Sequence, residues 1–169
     1  MSMQQQDKEL IESAFSVFPK AVYLLTAGFE DKRGGMLVPF VHRCCNEPAM
    51  ICVAARKGHT IDPLIRDSHA FALGVLGEGD RLIERRFQRS DVPPRDLPAM
   101  GDEDPFDAIE TKTLVTGSPI IPRCKVWFDC EVARRVDLEA EMELFVGVVV
   151  GVMLNGRKVR IDRTIESDD

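Results

Sequence analysis

The chain has no excess of basic residues: 22 Lys and Arg stand against 28 Asp and Glu, for a net charge of -6. General nucleic-acid binding draws on surplus cations to neutralise phosphates, so that class is excluded. A local basic site for one small anion is still allowed. Long hydrophobic runs are lacking as well. The longest, 144–154, is too short to span a bilayer and is broken by Gly147 and Gly151. The N-terminal residues Gln4, Gln5, Gln6, Asp7, Lys8 and Glu9 precede no apolar leader segment. A cytoplasmic location without membrane contact is the expectation.

Metal-ligand and nucleophile motifs are missing too. The five cysteines, Cys44, Cys45, Cys52, Cys124 and Cys130, contain no CxxC pair. An odd number without a leader points to reduced thiols rather than a disulfide framework. Adjacent Cys44 and Cys45 cannot easily chelate one zinc together. His42, His59 and His69 are scattered, and there is no HExxH, GxSxG or Walker loop. No metal is expected, and no residue stands out as a catalytic acid or base. Glu139, Glu141 and Glu143 alternate as on an exposed turn or strand face.

What is present is an ordinary globular balance, 44% hydrophobic and 30% charged over 169 residues, which suggests one domain over 1–169. The acidic stretch 166–169 reads as a disordered tail. Leu10, Ile11, Ala14, Phe15 and Phe18 recur at helical spacing, so 5–18 reads as an amphipathic helix ended by Pro19. Strands are expected at 20–27, 36–41, 50–55, 71–76, 125–136, 144–155 and 158–161, the last two across an Asn155-Gly156 turn. Helices are expected at 60–68, capped by Thr60 with Asp62 in its first turn, and at 80–87, capped by Asp80. Between them and the late strands, 88–108 carries Pro93, Pro94, Pro98 and Pro105 and reads as a long surface loop. Short strands with brief connections predict a mainly β (α+β) fold, a closed antiparallel β-barrel with flanking helices.

Two local features bear on chemistry. Arg56, Lys57, Gly58, His59 and Thr60 leave a strand and enter a helix. Free N–H groups at a helix start favour a phosphate, Gly58 allows close approach, and Arg56 and Lys57 add charge. Taken alone, these residues fit a plain Thr-capped helix after a tight turn. In the 80–87 helix, Arg81, Arg85 and Arg89 share one face, with Leu82, Ile83 and Phe87 opposite, while Arg86 sits beside the apolar side.

An ordered set of segments then matches a known pattern: YLLT (23–26), GGMLVPF (34–40), EPAMICVAA (47–55), KGHTIDPLIRDSHAFALGVL (57–76) and GEGDRLIERRF (77–87). TGSPII (116–121), WFDCEV (127–132) and LFVGVVVGV (144–152) follow in order. Together they resemble the flavin reductase-like, FMN-binding split-barrel family across nearly the whole chain, which implies that the closed antiparallel barrel is a split β-barrel. The resemblance implies a homodimer with FMN near the subunit interface. It also implies an NADH or NADPH electron donor and, in many members, a partner monooxygenase.

Carried over by position, Gly35, Met36, Leu37, Val38, Pro39 and Phe40 would run along the flavin ring. Ala54, Ala55, Lys57, His59 and Thr60 would surround the phosphate and ribityl chain, which turns the 56–60 reading towards a phosphate. Phe87 and Arg86 would flank the cofactor. The pattern's side-chain donors are replaced at Gly34, Leu37 and Pro39, its Asp-His falls on Glu141-Met142, and its carboxylate falls on Val148. Three functions follow: an NAD(P)H-dependent flavin reductase, a non-catalytic flavin-binding electron carrier, or a split barrel that has lost FMN and binds another small ligand or a protein partner.

Overall fold

A computed structural model describes residues 3–88 and 104–162. Arg89, most of the Pro-rich loop and the 166–169 tail lie outside the described residues. Within them are three α-helices: α1 (Met3–Phe15), α2 (Ile61–Ser68) and α3 (Arg81–Phe87). The strands are β1 (Val22–Phe29), β2 (Lys32–Val38), β3 (Val41–Cys45), β4 (Met50–Arg56), β5 (Ala70–Leu76), β6 (Val126–Asp137), β7 (Met142–Leu154) and β8 (Arg157–Arg160). They form one antiparallel sheet in the order β2-β1-β5-β6-β7-β4-β3, with β8 on β7.

The sheet is not closed, contrary to the expected closed barrel. β2 and β3 are consecutive in the chain yet stand at opposite ends of the order, and among the described residues no ladder joins them. The reason lies between them. Pro39 has no N–H to give a ladder, so the strand breaks there and Phe40 turns outward. Phe40, just past Pro39, continues the β3–β4 register instead, accepting from Ala54 N–H at 3.0 Å. The break also creates β3, a strand that polar His42 and Arg43 conceal from any apolar-alternation reading.

Strand alternation sends the buried side chains to two layers. On one face Leu25, Met36, Val38, Val53, Phe71 and Phe145 pack against Ile61, Leu64 and Ile65 of α2. On the other, Leu24, Leu37, Ala72 and Trp127 pack against Ile83 and Phe87 of α3 and against Phe106, Ile120 and Ile121. Each fully buried side chain of this size contributes about 1.5–3 kcal/mol. Asp129 ties the 116–121 segment down, accepting from Val115 N–H, Thr116 N–H and the Thr116 hydroxyl at 2.5–2.8 Å. The Asn155-Gly156 turn forms as expected, with φ of 49° and 80°.

Several local expectations change. Thr60 makes no side-chain cap; His59 Nδ1 instead accepts from Ile61 N–H at 3.2 Å. Asp80 caps the turn before α3, accepting from Gly77 N–H at 2.9 Å. Leu82 is exposed rather than packed, and Glu143, expected on an exposed face, is buried. α1 forms, but none of its residues is buried, and Leu10, Ile11 and Phe15 face solvent.

Candidate functional site

The break after β2 opens a pocket of about 360 Å³. Met36, Leu37, Val38, Pro39 and Phe40 form one wall, and Ala54 and Arg56 of β4 another. α3 presents Glu84 and continues to Gln88, while Glu141 and Met142 come from the start of β7, and Ala21 and Val22 from the start of β1. β2 is a terminal strand, so alternate N–H and C=O groups on its outer edge are left to hydrogen-bond a ligand. An apolar lining with a few polar groups and such an edge suits a flat heteroaromatic ring.

The structure brings together Met36, Leu37, Val38, Pro39, Phe40 and Ala54 from the expected set. It places the others elsewhere. Gly35 lies beneath Phe87: a Cβ there would stand 2.6 Å from Phe87 Cε1. Phe87 is itself buried, its ring 5.2 Å from that of Phe106. Ala55 points to the opposite face of β4 and joins the α2-side core. Lys57 pairs with Asp137, and its N–H donates to Glu141 O at 3.0 Å. Thr60 is exposed. Arg86 leaves the pocket altogether: its Nε donates to Pro105 O at 3.1 Å, and it lines a second cavity on the far side of α3.

Among the described residues, Arg56 is the cation that lines the pocket. Its Nη1 lies 3.7 Å from Glu141 Oε2, and both side chains are substantially exposed. Such a pair is worth about 0–1 kcal/mol, so Arg56 can turn to an entering anion at little cost. The signal for it was in the sequence, because Ala54 and Arg56 are two apart and share a strand face. Glu84 and Gln88 likewise share a helix face at four-residue spacing.

Below the pocket runs a charged network. Arg135 reaches Glu143 Oε2 at 2.5 Å and Asp62 Oδ1 at 3.4 Å, and Arg66 reaches Asp62 Oδ2 at 3.1 Å. Glu143 stands opposite Ala55 in the ladder, one residue before Arg56, so the network supports the strand end that carries Arg56. Burial lowers the pKa of His59, which keeps its ring neutral as an acceptor for Ile61 N–H. Among the described residues no group of His, Cys, Asp and Glu suits a metal, and no helix is long and apolar enough to cross a membrane.

The fold is therefore an antiparallel β sheet with three helices and a mostly apolar pocket beside its open edge. The comparisons narrow this further. Residues 15–161 match the flavin reductase like domain, and the chain belongs to that family. It is 26% identical over 152 residues to diflavin flavoprotein A 1 of Synechocystis sp., covering 90% of this chain and 24% of that protein. The chain thus spans about a quarter of the length of this cyanobacterial relative. It is 24% identical over 149 residues to the FMN reductase (NADH) RutF of Bradyrhizobium diazoefficiens, covering 88% of this chain and 78% of that one. Among solved structures, the NADH:FAD oxidoreductase SgcE6 of Streptomyces globisporus shares the fold at a TM-score of 0.69 and 22% identity, covering 92% and 94% of the two chains.

Proposed function

We propose that this chain is a cytoplasmic FMN-binding flavin reductase that takes electrons from NADH or NADPH. One observation carries the reading: the five consecutive residues Met36, Leu37, Val38, Pro39 and Phe40, together with Ala54, line one pocket at the sheet's open edge. The pocket's apolar walls and the open β2 edge fit a flavin ring. Arg56 is the group to meet its phosphate. Bound flavin would supply the redox chemistry by accepting hydride from a reduced nicotinamide. The protein's own part would be to hold the ring with lining residues such as Met36, Phe40 and Met142, to orient it through the strand edge, and to exclude water on the core side.

A second reading, a flavin-binding electron carrier without turnover, is favoured by Met142. It occupies the pocket where the resemblance leads one to expect an imidazole, and among the described residues no histidine lines that pocket. The uncovered apolar side chains of α1 support pairing with a second copy, and a partner monooxygenase would be the consumer of reduced flavin. The net charge supports a role without nucleic acid.

The purified chain's visible spectrum tests the proposal. A flavin band, or its appearance on adding FMN, is the expected result. A colourless protein that takes up no FMN overturns both readings and leaves a different ligand. Anaerobic bleaching by NADH or NADPH then separates reductase from carrier.

A further inference from the structure

α3 has a cavity on each side. At about 100° per residue, Glu84 and Gln88 face the pocket described above, while Leu82, Ile83 and Arg86 face away from it. These three line a second cavity, of about 460 Å³, together with the 107–110 segment and with Ile121 to Arg123. The two cavities share no lining residue.

The second cavity has an apolar floor. Ile83 and Ile121 are buried in the α3-side core, and Ile109 packs against it. Charges of both signs form the rim, and they come from different elements. The guanidinium groups are those of Arg86 on α3 and of Arg123, whose Nη2 donates to Gly79 O at 3.3 Å, just ahead of α3. The carboxylates are Asp107 and Glu110, both from the 107–110 segment. All four residues are exposed.

These charges do not satisfy one another. Among the described residues no ion pair joins either arginine to either acid. Arg86 uses only its Nε, on Pro105 O at 3.1 Å, and Asp104, whose charge it feels, is already paired with Arg33. Glu110 meets Lys112 at 3.6 Å in a solvent-exposed and therefore weak pair.

We propose that this cavity binds a zwitterionic amino acid with an apolar side chain. Arg86 and Arg123 receive its carboxylate, for which the planar guanidinium is the best-matched donor. Asp107 receives its ammonium, and Ile83, Ile109 and Ile121 take its side chain. An anion without an amine would leave Asp107 and Glu110 facing its charge. A cation without a carboxylate would meet two guanidinium groups. A wholly apolar molecule would strip water from the rim charges and pair none of them. The free amino acid answers both signs and covers the floor, in a cavity within the roughly 300–1,000 Å³ of small-molecule sites.

An NMR titration of the ¹⁵N-labelled full chain with L-leucine tests the site. The expected result is saturable shifts at the amides of 82–86, 107–110 and 123. N-acetyl-L-leucine, which lacks the ammonium, and L-leucinamide, which lacks the carboxylate, should each bind at least tenfold more weakly. Asp107→Asn should weaken L-leucine about tenfold and leave N-acetyl-L-leucine unchanged; Arg123→Gln should weaken L-leucine and leave L-leucinamide unchanged. No shift up to the solubility of L-leucine, shifts centred on 36–40, or equal affinity for the three compounds would each overturn the proposal. Because the site shares no side chain with the flavin pocket, it and the proposed function stand or fall separately.

Discussion

Arg135 Nε donates to Glu143 Oε2 at 2.5 Å across the β6–β7 ladder, and the acceptor is 1% exposed while the donor's side chain remains 40% exposed. One end of this pair is therefore held by the core and the other by solvent. Removing Arg135 strands a carboxylate beneath the strand that carries Arg56. Arg135→Ala should lower the unfolding free energy by about 2 kcal/mol, less than the roughly 3–5 kcal/mol of a wholly buried pair because water still reaches the site. Glu143→Gln keeps an acceptor and leaves no buried charge, and should cost about 1 kcal/mol. Urea denaturation measures both. Equal losses in the two variants would contradict the stranded-charge account.

Arg56, not Lys57, should set phosphate affinity. Lys57 is occupied by Asp137, whereas Arg56 is held only loosely by Glu141. Arg56→Ala should weaken FMN about tenfold, as expected for one charge-assisted hydrogen bond, and leave riboflavin, which has no phosphate, nearly unchanged. Lys57→Ala should change either ligand less than threefold, or about 0.6 kcal/mol. Fluorescence quenching of the two flavins reads the difference, and parallel losses for both would remove Arg56 from the phosphate.

His59 should titrate below about 6.5 in the folded chain, because burial disfavours its charged form. With the folded pKa lowered, the unfolded chain takes up the proton first as pH falls. The stability this residue contributes is then present above the unfolded pKa and lost as pH falls through the folded one. Protonation also removes the acceptor for Ile61 N–H. An NMR titration of the ring checks the midpoint; a value at or above the unfolded one would refute the neutral-acceptor role.

Gly35 is glycine because Phe87 occupies the space where its Cβ would be. Gly35→Ala should cost about 1–3 kcal/mol by overpacking. Since the ring is the obstacle, adding Phe87→Leu should recover part of that loss, and a double-mutant cycle should show coupling above about 0.5 kcal/mol. Additive losses would mean that the backbone, not the ring, is the obstruction.

Much of this arrangement was legible in the order of residues. The β-rich stretches 20–27 and 36–41 foretold the strands now seen as β1 and β2, because β propensity and turn signals are local properties. The 60–68 and 80–87 helices followed from spacing and turn signals in the same way. Ala54 and Arg56 were open to the same logic, and the reading lost Arg56 by assigning it to the turn rather than to the strand face.

Other features depended on neighbours distant in sequence. Glu143 looked like one of three alternating surface acids, and it is buried because β4 and β6 flank it and Arg135 answers its charge. Arg86 looked inward from its helix, but the 105 carbonyl on the far side takes its guanidinium. Pro39 was visible as a missing donor, yet its effect on closure depended on how the sheet's two ends meet in space. The sequence by itself determined the approximate places of most strands and helices, and the family. The tertiary structure decided which face is covered, which charge is paired, and that the sheet stays open beside the pocket, because burial and pairing depend on contacts that local periodicity does not encode.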